Sequence, residues 1–148
     1  MKALALCGVG FVGTLFWPVS PDAAVAYSAA SGAWHPLALG LLVASGQVVA
    51  QVLLFLFGAE LRRRWGWFDH QCQRVRSRYA ARLGGGLGVL AASSGLLGLP
   101  PTSVTAALAP GLGFKGTRLI PIMFAMRVIR FTVLASAALG VRSAVLGP

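Results

Sequence analysis

The sequence is poor in acidic residues and in charge of any kind. It contains three acids, Asp22, Glu60 and Asp69, against thirteen lysines and arginines, and only 11% of its residues are charged. With 57% hydrophobic residues and a mean hydropathy of +0.77, the chain is far more apolar than an ordinary soluble domain. This composition leaves no room for a separate soluble enzyme domain and indicates one integral membrane domain over residues 1–148.

Cysteine and histidine are also scarce, with two of each. Cys7 lies in an apolar segment and Cys72 in a basic one, so we do not expect a disulfide between them. Neither histidine has partners at metal-ligand spacing, and no nucleophile, base and orienting group occur together. We therefore expect no metal, no cofactor and no enzymatic activity.

Arginine is concentrated in residues 60–82, the most hydrophilic part of the chain. Basic clusters beside membrane spans mark the cytoplasmic side and contact anionic lipid, so we predict a cytoplasmic loop here and no nucleic-acid partner. Trp65 and Trp67 beside the arginines favour an interfacial helix. The arginines of this predicted lipid-surface loop are Arg62, Arg63, Arg64, Arg74, Arg76, Arg78 and Arg82.

Two apolar stretches are long enough to cross a membrane as helices. They cover residues 36–59 and 118–142, and the first contains no charged residue before Glu60. Within the first stretch, Gln47 and Gln51 lie one helical turn apart. They either form hydrogen bonds between helices or line a polar path.

Prolines break the remaining apolar segments, residues 1–35 and 83–117. Backbone groups freed by a helix break are tolerated at membrane depth only when protein or a water-filled cavity covers them. Each segment is therefore predicted to be a re-entrant hairpin, the alternative being short arms that cross a thinned bilayer. The predicted breaks involve Pro18, Pro21, Pro100, Pro101, Pro110 and Gly111.

The order of short arm, proline break, short arm and long span occurs twice. Ser20 precedes Ala59 by 39 positions, and Pro101 precedes Gly140 by the same number. We predict an all-α membrane protein of two inverted repeats, each a re-entrant helical hairpin followed by one transmembrane helix. In this arrangement the hairpin at Ser20 enters from outside and the hairpin at Ser103 from the cytoplasm.

Two arginines lie inside the second predicted span. Arg127 and Arg130 follow Leu119 by eight and eleven positions, which places them ~12 and ~16 Å along the helix at ~1.5 Å per residue. Neither is expected to face lipid, and Asp22 is the only acid in the apolar part of the chain. Three interpretations remain: a structural ion pair, an anion site in which Asp22 carries a coupling proton, or arginines that snorkel to the interface.

Several short motifs occur in a fixed order through both halves of the chain. They are Phe16-Trp17-Pro18-Val19-Ser20-Pro21-Asp22, Gly46-Gln47-Val48-Val49-Ala50-Gln51, Phe55 and Gly58, Gly98-Leu99-Pro100-Pro101, Ala109-Pro110-Gly111, Arg118, and Arg127-Val128-Ile129-Arg130-Phe131. In this order the motifs resemble the DedA/VTT (SNARE-associated) superfamily, and most of all its small YqaA-like bacterial branch, over residues 11–140.

The resemblance implies two re-entrant hairpins that face each other in a bacterial inner membrane. It also implies translocation of lipids such as undecaprenyl phosphate and other phospholipids, with Asp22 matching the acid after the first hairpin's proline. The sequence departs from the family at the second hairpin, where arginines are usual and Leu99, Thr102 and Ser103 stand instead. It also lacks helices found in longer relatives.

We therefore predict a membrane lipid translocator for phospholipid or polyprenyl phosphate. The predicted substrate and proton path contains charged residues and polar ones, with Thr102 and Ser103 as candidate hydrogen-bonding groups at the hairpin tip. Its members are Asp22, Arg127, Arg130, Ser20, Thr102, Ser103, Gln47 and Gln51. The alternatives are a non-transporting scaffold or assembly factor and a small proton-coupled drug exporter, the latter disfavoured by two buried arginines. Abundant glycine and alanine faces favour a homodimer.

Overall fold

The fold was analysed in a computed structural model, which describes residues 2–16, 19–32, 34–79, 94–97, 101–110 and 115–146. Within these ranges the chain is helical and contains no strand, as the sequence predicts. A short helical stretch covers residues 94–97. The longer helices are α1 (Lys2–Leu15), α2 (Pro21–Ala30), α3 (Pro36–Arg64), α4 (Gly66–Tyr79), α5 (Thr102–Leu108) and α6 (Gly116–Leu146).

Helices α3 and α6 contain the two segments that are long and apolar enough to cross a membrane, Pro36–Glu60 and Gly116–Val145. The two predicted membrane helices are thus confirmed in number and composition. Both helices are longer than predicted. At the end of α3, Arg63 and Arg64 form ion pairs with Glu60 one turn earlier, and pairs at this spacing stabilise an additional helical turn.

The two long helices lie antiparallel in contact with each other. Gly40, near the start of α3, faces Thr132 in the later half of α6, and Phe55 faces Gly116 at the beginning of α6. Small residues at such positions allow helix backbones to approach closely. This pairing places the start of α3 beside the later half of α6 and the end of α3 beside the beginning of α6.

The short helices α2 and α5 begin near the middle of α6 and run toward opposite ends of the long helices. Asp22 in the first turn of α2 contacts Arg130, and Gly32 just beyond the end of α2 lies beside Arg142. Helix α2 therefore runs toward the C-terminal end of α6. Helix α5 starts where Thr102 contacts Arg127 and reaches Gly58 of α3 at Ala107, so it runs the other way.

Apolar side chains form clusters on either side of the bundle centre. The first brings α1, α2, the start of α3 and the later half of α6 together, and the others join the end of α3, α5 and the beginning of α6. Buried residues of the first cluster are Leu6, Val25, Ala29, Leu39, Val43, Ala44, Phe131 and Ala135. Those of the others are Leu54, Val104, Ala106, Ala107 and Leu108, and then Ala109, Leu119 and Met123.

The basic segment is helical as far as it is described, and α4 lies where the sequence favours an interfacial helix. Residues 60–64 complete α3, and residues 66–79 form α4, with Trp65 and Trp67 exposed. Arg63, Arg64 and Arg74 are exposed as well. The side chains of Arg62, Arg76 and Arg78, and the whole of Arg82, lie outside the described part of the chain.

Substitution of Gly46 tests the close contact between α1 and α3. A Cβ atom on Gly46 would overlap the backbone carbonyl of Cys7, and backbone atoms cannot move aside as a flexible side chain can. We expect Gly46→Ala to lower the free energy of unfolding by about 1–3 kcal/mol, measured by thermal unfolding in detergent. Gly140→Ala is the control, because nothing lies within 4 Å of that position; equal melting temperatures for the two variants would contradict the contact.

Candidate anion site at the centre of the helix bundle

Buried polar side chains concentrate in the middle of the bundle, between the apolar clusters. They come from α3, α5, α6 and the short helical stretch, and we call them the central polar cluster. Its members are Gln47, Gln51, Ser94, Thr102, Thr105 and Arg127. An apolar interior that contains so many polar groups requires hydrogen-bond partners for each of them.

The start of α2 brings a carboxylate to the edge of this cluster. The hydroxyl of Ser20 caps the helix by accepting a hydrogen bond from the backbone N–H of Ala23, at 3.3 Å. Pro21 occupies the first helical position, where its missing N–H costs nothing. Asp22 then lies in the first turn, where the helix dipole stabilises a negative charge.

Asp22 forms a bidentate ion pair with Arg130. The Nη2 atom of Arg130 donates to Oδ2 of Asp22 at 2.8 Å, and Nε donates to Oδ1 at 3.2 Å. A third hydrogen bond, from Nη1 at 3.3 Å, reaches the backbone carbonyl of Leu96. The side chains of Arg130 and Asp22 are 26% and 38% exposed, so the pair lies at the margin of the buried region.

Arg127 lies one turn earlier in α6 and is much more deeply buried. Its residue is only 7% exposed, and its Nη2 atom donates to the hydroxyl of Thr102 at 3.0 Å. The guanidinium carbon lies 5.9 Å from the centre of the Phe131 ring. In the described part of the chain Arg127 forms no ion pair, and its Nε atom has no hydrogen-bond partner.

The two arginines therefore have different electrostatic environments. Arg130 has a carboxylate that balances its charge, whereas Arg127 has one neutral hydroxyl and an aromatic face. A charge at this depth costs about 2.5–3.5 kcal/mol on insertion scales, and one hydroxyl offsets only part of that cost. Arg127 is thus a buried cation whose guanidinium has N–H donors left over for an anion.

Hydroxyl groups extend the polar region along α5. Thr105 lies one turn after Thr102, and its hydroxyl shares a hydrogen bond of 3.1 Å with that of Ser94. Thr105 also contacts the backbone carbonyl of Pro101 at 3.2 Å, within its own helix. These bonds join the short helical stretch to α5 next to the residue that contacts Arg127.

The two glutamines of α3 are buried, and their amide oxygens accept no hydrogen bond from the described residues. Gln47 and Gln51 are 3% and 0% exposed. Among the described residues, no partner reaches Oε1 of Gln47 or either polar atom of the Gln51 amide. Each such group costs about 1–3 kcal/mol when left unsatisfied. Of the two roles predicted for the glutamines, interhelical hydrogen bonds are not seen for these atoms among the described residues.

The structure brings together several of the residues that the sequence singled out. The sequence named Asp22 as a candidate partner for the two arginines without deciding between them. Asp22 pairs with Arg130, since α2 begins beside Arg130 while α5 occupies the space next to Arg127. Ser20 caps α2 rather than pointing at an arginine, and Ser103 lies partly buried beside Thr102.

The predicted helix breaks are only partly described. Pro21 begins α2, Pro101 precedes α5, and Pro110 is exposed after its end. Pro18, Pro100 and Gly111 lie outside the described residues. The turns of the two predicted re-entrant hairpins are therefore still predictions.

Sequence reasoning missed the roles of Thr105, Ser94 and the Leu96 carbonyl. Thr102 and Thr105 stand three positions apart, a spacing that puts two hydroxyls on one helical face and could have indicated Thr105. Ser94 and Leu96 carry no such signal. In the described part of the chain, no group of three His, Cys, Asp or Glu side chains is placed to hold a metal ion.

No protein-family model, curated protein or solved structure matches this chain. The similarity to the DedA/VTT superfamily therefore remains a prediction from its motifs. The candidate site is defined by its geometry: a bidentate ion pair at the margin and a buried, unbalanced guanidinium behind it.

A double-mutant cycle tests whether Asp22 pairs with Arg130 or with Arg127. We expect Asp22→Asn and Arg130→Gln to show a coupling free energy of about 1–3 kcal/mol, because the two side chains contact each other directly. The matched control is the cycle of Asp22→Asn with Arg127→Gln, for which we expect about 0.5 kcal/mol or less. The measurement is chemical unfolding of the four variants of each cycle in detergent. Equal coupling in both cycles would show that Asp22 serves both arginines.

Proposed function

We propose that this protein translocates membrane lipids with an anionic phosphate headgroup, and that the phosphate binds at Arg127. The observation that carries the proposal is the burial of Arg127 in a helix that is long and apolar enough to cross a membrane, without a carboxylate partner in the described residues. A lipid headgroup is the anion most readily available at that depth.

Guanidinium chemistry suits a phosphate ligand. Arginine presents parallel N–H donors that match two phosphate oxygens, and it remains charged in an apolar environment. The free Nε donor of Arg127 is available for such a contact, and the hydroxyl of Thr102 lies beside the same guanidinium. Phosphate and polyprenyl phosphate headgroups share this chemistry.

The Asp22–Arg130 ion pair provides a means of coupling phosphate binding to proton binding. When Asp22 binds a proton, Arg130 loses its charge partner and can bind phosphate together with Arg127, one helical turn away. Phosphate binding and protonation of Asp22 then favour each other. Transport coupled to protons follows if Asp22 exchanges its proton on only one side of the membrane.

The opposite directions of α2 and α5 support a path to both membrane surfaces. One short helix leads from Arg130 toward the C-terminal end of α6, and the other leads from Arg127 toward the end of α3. We propose that they are the returning arms of two inverted re-entrant hairpins in a bacterial inner membrane. The basic end of α3 and α4 faces the cytoplasm in this proposal.

Replacement of Arg127 tests the function. We expect Arg127→Met to slow translocation of a fluorescent anionic phospholipid in proteoliposomes by at least about tenfold, because one charge-assisted hydrogen bond contributes about 1.5–3 kcal/mol. The readout is bleaching of the lipid by dithionite added outside. The melting temperature should stay equal or rise, since an apolar side chain of similar size removes an unbalanced buried charge.

Arg118→Met is the matched control, because Arg118 is exposed at the beginning of the same helix; we expect it to leave translocation unchanged. A variant of Arg127 that unfolds would support a structural arginine instead. Unchanged lipid movement in folded Arg127→Met would favour a non-transporting scaffold, for which the Asp22–Arg130 pair would serve only to hold α2 against α6.

A further inference from the structure

The glutamines of α3 lie on the same helical face as residues that contact both α6 and α5. Gly40 faces Thr132 of α6, and Gly58 faces Ala107 of α5. Positions 47 and 51 lie between these contacts on one stripe, at the helical spacing of four residues. Gln47 and Gln51 therefore occupy the interior section of α3 between α6 and α5.

The same section faces the part of α6 that contains Arg127. Phe131, one turn after Arg127, belongs to the cluster that contains Leu39 and Val43, and Met123, one turn before it, belongs to the cluster joined by Phe55. Arg127 thus lies between the levels at which the two helices make apolar contacts. Because Cα–Cβ bonds of a helix tilt toward its N-terminus, the side chain of Arg127 leaves α6 toward the level of Gln47 and Gln51, and its Nη2 atom reaches Thr102 of α5.

The glutamine amides and Arg127 together have four polar atoms without a partner in the described residues: Oε1 of Gln47, Nε2 and Oε1 of Gln51, and Nε of Arg127. A purely structural pair of glutamines would bond to a neighbouring helix or to each other. An amide that keeps both its donor and its acceptor free suits a ligand group that also donates and accepts, and a hydroxyl is such a group.

The net charge of the side chains around Arg127 further limits the chemical class of the ligand. Arg127 and Arg130 contribute two positive charges and Asp22 one negative charge, so the centre has a net charge of +1 while Asp22 is ionised. This charge attracts a phosphodiester with one negative charge and repels an ammonium group. A headgroup that combines phosphate with an amine is therefore disfavoured.

We infer that Gln47 and Gln51 form a headgroup subsite beside the phosphate position, and that the ligand is an anionic phosphate ester with an uncharged, hydroxylated headgroup such as glycerol. This inference rests on the proposed function and specifies its substrate class. The phosphate binds at Arg127, and the headgroup hydroxyls bond to the two amides.

Paired lipids test the inference in proteoliposomes. We expect the unmodified protein to move fluorescent phosphatidylglycerol at least about fivefold faster than fluorescent phosphatidylethanolamine. Gln51→Leu should reduce phosphatidylglycerol movement to the rate of phosphatidylethanolamine, and its melting temperature should stay equal or rise, because an unsatisfied buried amide is removed. Gln51→Met is a second variant, and Gln73→Leu on the exposed face of α4 is the control expected to change nothing.

Three outcomes would overturn the inference. Equal movement of both lipids by the unmodified protein would remove the headgroup selectivity, while the proposed function would stand. A lower melting temperature with equal loss for both lipids in Gln51→Leu and Gln51→Met would show a structural amide. Uptake of labelled glycerol 3-phosphate in place of lipid would assign the site to the free ester. If neither lipid moves although the protein is folded, the proposed function itself fails.

Discussion

The structure depends on the burial of one positive charge, the guanidinium of Arg127. Because Arg127 lies near the middle of an apolar helix, the neighbouring elements must keep it away from lipid and supply it with hydrogen bonds. Helix α5 does so by placing Thr102 against it, and Phe131 covers it on its own helix. Both short helices begin near the middle of α6, with Thr102 of α5 beside Arg127 and Asp22 of α2 beside Arg130.

The centre of the bundle is asymmetric in charge because, in the described part of the chain, only Arg130, and not Arg127, is paired with a carboxylate. Arg130 is more exposed than Arg127, yet it is the one that Asp22 balances. A protein built only for stability would place its single membrane carboxylate beside the deeper charge, where desolvation is most costly. In the observed arrangement the deep guanidinium has no carboxylate partner among the described residues, whereas the second guanidinium is held in a bidentate ion pair. The proposed phosphate site at Arg127 is based on this difference between residues three positions apart.

The sequence was sufficient for the two long apolar helices, and it offered Asp22 as a candidate charge partner of the arginines, because hydrophobic length and the scarcity of acids are visible in the chain itself. It was not sufficient for the identity of the arginine that Asp22 contacts. That choice depends on where α2 and α5 begin along α6, which no local pattern determines. The Ser94–Thr105 bond and the Gln51 amide, which has no partner among the described residues, likewise arise from packing between distant segments. The extension of α3 to Arg64 was not predicted, and ion pairs of Arg63 and Arg64 with Glu60 support it.

Access to the central arginines from opposite membrane faces is the claim on which translocation depends, and side-specific labelling tests it most directly. In a chain with Cys7→Ser and Cys72→Ser, single Ser20→Cys and Ser103→Cys variants would be treated from each side with an impermeant thiol reagent. We expect Ser20→Cys to react from outside and Ser103→Cys from the cytoplasm, since α2 and α5 run toward opposite ends of the bundle from these positions. Reaction of both variants from the same side would contradict the inverted arrangement and the path through the membrane that it provides.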